Sequence, residues 1–158
     1  ERRTEKLINP HMSGLPAFLT HETGLNSGYM IPHVVAAALV SENKVLCHPA
    51  SVDSIDTSAD KEDHVSMGMI AALKLRTVVE NVSHVLAIEA LAAAEGLDIL
   101  SPLTGGSGVR AAHELVREHA AAMETDRSLS GEIQSLARSL RDGLLGERVS
   151  LKLGRSLA

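Results

Sequence analysis

The sequence has no tryptophan, one tyrosine (Tyr29) and one phenylalanine (Phe18), so no core can be built on stacked aromatic rings. The filling must come from Leu, Val, Ile, Ala and Met, a set that suits closely packed helices. Cys47 is alone, which excludes an internal disulfide and leaves nothing to argue for an oxidising compartment. The 20 acidic and 15 basic side chains give a net charge of −5, and no Lys/Arg cluster can follow a phosphate backbone, so nucleic acid is excluded as a partner. No apolar run approaches the length of a membrane span and no signal peptide is visible, so the expectation is a cytoplasmic protein with no membrane contact. The chain opens on Glu1 rather than Met, and Glu1-Arg2-Arg3-Thr4-Glu5-Lys6-Leu7-Ile8 reads like the middle of an amphipathic helix; a fragment or processed chain is expected.

What is present points to an all-α bundle. Alanine runs at Ala36-Ala37-Ala38, Ala92-Ala93-Ala94 and Ala120-Ala121-Ala122 favour helix and let helix axes approach closely. Residues 9–26 are dense in breakers and read as a structured loop. The apolar spacing of Ile31, Val34, Val35, Ala38, Leu39 and Val45 predicts a helix over 28–46, with Pro32 tolerated in its first turn. His48-Pro49 stops it, and the Ser/Asp/Thr-rich stretch 50–61 is a second ordered loop. Over 62–95 there is no proline, and the apolar positions predict one long helix of roughly 45–50 Å at about 1.5 Å per residue. Its apolar positions spread beyond a narrow stripe, which calls for several packing partners and makes oligomerisation through this helix a natural consequence. Gly96 is placed as its stop, and 101–108 as a linker. Two one-sided helices follow, near 109–123 and around Ile133, Leu136, Ala137, Leu140 and Leu144. The end, 146–158, alternates as Val149, Leu151, Leu153 and reads as an extended or partly disordered tail.

Eight histidines invite a metal reading, but His113 and His119 are wrongly spaced for a helical clamp and no His-Glu-x-x-His occurs, so no metal site is expected. Gly105-Gly106-Ser107-Gly108 lacks the Lys-Ser/Thr ending of a phosphate loop. Two loop–helix junctions carry more. One is Gly24-Leu25-Asn26-Ser27-Gly28-Tyr29-Met30. The other, Ser58-Ala59-Asp60-Lys61-Glu62-Asp63-His64-Val65-Ser66-Met67, gathers charge at the expected start of the long helix, where the ordinary reading is an N-terminal cap or a solvated pair.

Five ordered segments resemble the aromatic amino-acid ammonia-lyase family, which acts on histidine, phenylalanine or tyrosine. They are His11-Met12-Ser13-Gly14-Leu15-Pro16-Ala17-Phe18-Leu19; Asn26-Ser27-Gly28-Tyr29-Met30; Ser41-Glu42-Asn43-Lys44; His48-Pro49-Ala50-Ser51-Val52-Asp53-Ser54; and Glu62-Asp63-His64-Val65-Ser66-Met67-Gly68. The resemblance implies the C-terminal portion of a long-helix bundle of the fumarase/aspartase-like type. Residues 1–100 would form the central-bundle and active-site-wall part, and 101–158 the peripheral C-terminal helices.

The family eliminates ammonia with a self-derived prosthetic group, methylidene-imidazolone, cyclised from an Ala-Ser-Gly tripeptide that this sequence does not contain. The resemblance therefore implies that the group forms from residues outside this chain, and that the chain acts together with the N-terminal portion of the enzyme. The implied assembly is a homo-oligomer, a tetramer, that takes a small aromatic amino acid. By motif position Glu62 is implied as the active-site glutamate. Lys61 stands where the family often has a glutamine, Asp60-Lys61 replacing Asn-Gln, and is implied as substrate-binding. Met30 is implied as an apolar pocket wall, although a core methionine is the ordinary reading. Asp63 and His64 would orient the loop. The Glu62-to-Met67 form favours histidine, giving trans-urocanate, while tyrosine and phenylalanine lyases and aminomutases share much of it. A non-catalytic helical assembly subunit derived from a lyase is the rival of a different class.

Overall fold

In the computed structural model, which describes residues 1–156, the longest element is α4, Gly68–Ile99, 32 residues or roughly 48 Å at the usual helical rise. Its second half is rich in alanine, and there Ala87, Ile88, Leu91 and Ala92 have no solvent exposure. The alanines among them let four other helices come close, and Ile88 and Leu91 fill the space between. α1 (Arg2–Ile8) lies on α4 through Ile8, and α3 (Met30–Leu46) runs beside it, with Ala36 against Val85 and Ile88. On the other flank sit α5 (Ser107–His119) and α6 (Ser130–Arg141), which adds Leu136 and Ala137 to the cluster around Leu91. Full burial of a leucine such as Leu91 or Leu136 contributes about 1.5–3 kcal/mol. α2 (Pro10–Ser13) and a 3-10 turn at Ala17–Leu19 lie between α1 and α3, and α7 (Leu144–Leu153) packs on α5. The described residues contain no β-strand, only two isolated bridges, Thr23 with Asn26 and Thr57 with Glu62. The all-α reading holds.

Several boundaries differ from the sequence reading; Leu144, read with the second one-sided helix, instead opens α7 after α6 has ended at Arg141. The long helix does not begin at Glu62 but at Gly68, with Met67 at its N-cap position. The backbone groups of Glu62 are committed elsewhere: its N–H donates to Thr57 O (3.3 Å) and its carbonyl accepts from Thr57 N (2.9 Å). Val65 N–H is taken by Ser54 Oγ (3.0 Å), and Ser58, Ala59, Asp60 and His64 have positive φ, which a helix cannot accommodate. The charged group 60–64 is therefore not the cap of α4.

At the other end Gly96 does not stop α4, which continues to Ile99. A Cβ at Gly96 would lie 3.1 Å from Leu15 Cδ1, so this glycine serves close packing of the 9–26 loop instead. α5 ends at His119, short of Met123, because Ala120 turns extended and Met123 N–H donates to the Glu95 carboxylate (3.2 Å). The expected tail is helical: Val149 and Leu153, four apart, close on Gly108 of α5 while Leu151 faces out. Residues 157–158 of that tail lie outside the described residues.

Half of α4 is covered and half is not. Toward its N-terminus Met69, Ile70, Leu73, Val79 and Val82 are exposed, and Ile31, Val34 and Val35 of α3 continue the apolar surface. No helix among the described residues is long and apolar enough to cross a membrane.

Candidate functional site

The first junction is built on Gly28. Its φ is +55°, and a Cβ there would stand 2.4 Å from Phe18 O, so only glycine fits. That close approach lets Tyr29 N–H donate to Phe18 O (2.9 Å), while Met30 N–H donates to Ser27 O (3.2 Å). Phe18 and Leu19 themselves have positive φ, strain that the surrounding bonds hold in place. The turn sends its two large side chains in opposite senses: Tyr29 is 1% exposed, Met30 37%. Met30 is thus the first residue of α3 and reaches the surface.

Behind the turn lies a partly buried polar network. Glu95, 5% exposed, accepts from Arg117 Nη2 (3.0 Å), and Arg117 Nε donates to Asp98 Oδ2 (2.9 Å). Asp98 Oδ1 also meets His113 Nε2 (2.7 Å). Burial pushes the Tyr29 phenol well above its ordinary range, and the neighbouring Glu95 charge adds to this, opposed by the Arg117 and Arg127 cations.

From outside, Asp126 closes the turn. Its Oδ2 accepts from Ser27 N (2.7 Å) and its Oδ1 from Gly28 N (2.9 Å), and its own N–H donates to Asn26 Oδ1 (3.4 Å). Sequence reasoning missed Asp126, Glu95 and Arg117; nothing in their local pattern marks them, because the partners just described lie 19 to 100 positions away. A cavity of ≈ 670 Å³ opens beside the turn, lined by Ser27, Ile31, His84, Asp126 and Ile133 among others.

The second junction is the loop before α4. The Thr57–Glu62 bridge makes a tight corner that carries Lys61 and Glu62, both exposed, and neither side chain has a hydrogen-bonding partner among the described residues. His64 lines a separate polar cavity of ≈ 590 Å³ with Asp53, Ser54, Ser66 and Met67. Met30, Lys61 and Glu62 line neither of these two cavities. What the corner offers chemically is a free carboxylate next to a free ammonium, fixed at the backbone; what the turn offers is an apolar thioether on a rigid base.

The family model described as aromatic amino acid lyase matches residues 1–118. The histidine ammonia-lyase of Anaeromyxobacter dehalogenans is 57% identical over 145 residues, covering 92% of this chain and 28% of that protein. The crystal structure of histidine ammonia-lyase from Trypanosoma cruzi superposes with a TM-score of 0.90 at 50% identity, over 96% of this chain and 30% of that one. A tyrosine aminomutase from Streptomyces globisporus superposes equally well, TM-score 0.90, at 34% identity over 96% of this chain and 29% of the other. The chain thus spans less than a third of the length of these relatives. With a matching family model over most of its length and both junction motifs inside the matched region, the chain belongs to the aromatic amino acid lyase family.

Proposed function

We propose that this chain is the C-terminal portion of an ammonia-lyase acting on histidine, which it converts to trans-urocanate and ammonia together with the N-terminal portion of the enzyme. The observation that carries the reading is the identity gradient: 57% and 50% to two histidine ammonia-lyases, against 34% to a tyrosine aminomutase of the same fold. In this reading Glu62 is the catalytic carboxylate, Lys61 sits beside it against the substrate, and Met30 forms an apolar wall. The methylidene-imidazolone group, formed from residues outside this chain, supplies the electrophile that activates the substrate. The residues present fit a place beside that group, since Lys61 and Glu62 are exposed and unpartnered here and free to meet a substrate held on other polypeptide. A carboxylate so placed can move a proton or pair with the substrate amine.

Residues 1–100 then serve as central bundle and site wall, and 101–158 as peripheral helices. The division is one of role, because Leu91 and Leu136 share one core. The protein works in the cytoplasm as a homo-oligomer, a tetramer, and the uncovered apolar half of α4 supports assembly. The same surface favours a second reading, a non-catalytic helical assembly subunit; its sign would be a clean homo-oligomer with no Ala-Ser-Gly segment on any chain. The test is to incubate the complete protein with histidine, tyrosine and phenylalanine and follow product ultraviolet absorbance and ammonia. Urocanate from histidine is the expected result. Products from tyrosine or phenylalanine alone, or β-amino acids as in an aminomutase, would overturn it.

A further inference from the structure

We propose that Asp126 is a positioning residue for the substrate wall, its carboxylate holding the turn that delivers Met30. This deepens the function proposed above and rests on Met30 facing substrate. Two consecutive backbone N–H groups, Ser27 and Gly28, converge on one carboxylate at 2.7 and 2.9 Å, and Asn26 Oδ1 accepts from Asp126 N–H in return. Asp126 makes no ion pair among the described residues, so its charge is directed at this turn alone. The two donors hold its carboxyl below the usual carboxylate range, as expected of a carboxylate that accepts two backbone N–H bonds.

The support behind Asp126 is itself anchored. Met123 N–H is fixed to Glu95 of α4, and the Arg127 guanidinium donates to Ala121 O (2.9 Å) and pairs with Glu132 of α6. A line of contacts therefore runs from the core of α4 through residues 123–127 to the amides of Ser27 and Gly28, and so to the first residue of α3. Without the carboxylate the Ser27 and Gly28 amides lose their acceptor, and the turn keeps Tyr29 N–H on Phe18 O, Met30 N–H on Ser27 O and the Asp126 N–H on Asn26 Oδ1. Asp126 lies outside the 1–118 region that the family model matches, so a role in the site is not part of that pattern.

The test uses the complete enzyme with Asp126→Asn, which keeps one acceptor oxygen, and Asp126→Ala, which keeps none. Amide hydrogen exchange at residues 27 and 28 should speed up roughly tenfold or more in the alanine variant and less in the asparagine variant, with helical amides unchanged. KM for histidine should rise roughly tenfold in the same order, with kcat less affected and the thermal midpoint nearly held. Unchanged exchange at 27 and 28 overturns the clamp. Faster exchange with wild-type KM and kcat, or activity lost only in proportion to unfolded protein, overturns the positioning role. Wild-type enzyme inactive on all three amino acids overturns the proposed function instead, and the exchange result then decides the clamp by itself.

Discussion

Arg117 of α5 reaches into the core to donate to Glu95 of α4 at 3.0 Å, and the two side chains are among the least exposed charged groups of the chain. Glu95 also receives Met123 N–H, and that bond ties the family-matched region to the segment that follows it. Removing one partner leaves a buried charge uncompensated, which costs far more than the pair contributes while intact. Arg117→Met should destabilise the complete protein by about 3 kcal/mol, measured by denaturant unfolding, and more than Arg117→Met combined with Glu95→Leu. Equal losses in the single and double variants would mean that the charge pair is not what the site depends on.

Tyr29 gives a pH dependence with a definite sign. Its phenol is raised, chiefly by burial, above the ordinary value near 10, so folding favours the neutral form. The stability it contributes is full below pH 10 and is lost as pH rises from there through the folded-state value. Wild type should therefore lose stability more steeply than Tyr29→Phe above pH 10, with no difference in slope at pH 7–9. Parallel alkaline unfolding curves for the two proteins would show the phenol to be in contact with water.

Gly28 and Gly146 make a contrasting pair. At Gly28 a Cβ meets Phe18 O at 2.4 Å with φ at +55°, whereas at Gly146, inside α7, nothing lies within 4 Å. Gly28→Ala should cost about 1–3 kcal/mol or more through backbone strain and displacement of the turn. Gly146→Ala should be neutral or stabilising by up to about 1 kcal/mol, because alanine restricts the unfolded chain and favours helix. Thermal unfolding of both variants decides this, and a Gly28→Ala protein as stable as wild type would contradict the geometry.

These tests fall on features that differ in how far the sequence reveals them. α3 was legible because its apolar positions and Pro32 agree with a helical start, and α6 because Ile133, Leu136, Ala137 and Leu140 keep a helical spacing, although Leu144, grouped with them, belongs to α7. The start of α4 was not, since polar residues after a Ser/Asp loop read as a cap while Ser54 and Thr57 in fact draw Val65 and Glu62 into turns. α7 was misread because an alternation of three residues fits both periods, and only contact with Gly108 chooses between them. Asp126 could not be found at all: its partners are 98 and 99 positions away, and no local pattern encodes such a bond.

The most direct measurement is the turnover of the complete enzyme carrying Glu62→Gln, which removes the charge and keeps the shape. The backbone bridge to Thr57 does not depend on the side chain, so folding and assembly should remain intact. Turnover on histidine should fall roughly a hundredfold or more, as expected when a proton-transferring carboxylate is neutralised. Wild-type turnover, or a loss that merely follows loss of assembly, would contradict a catalytic Glu62.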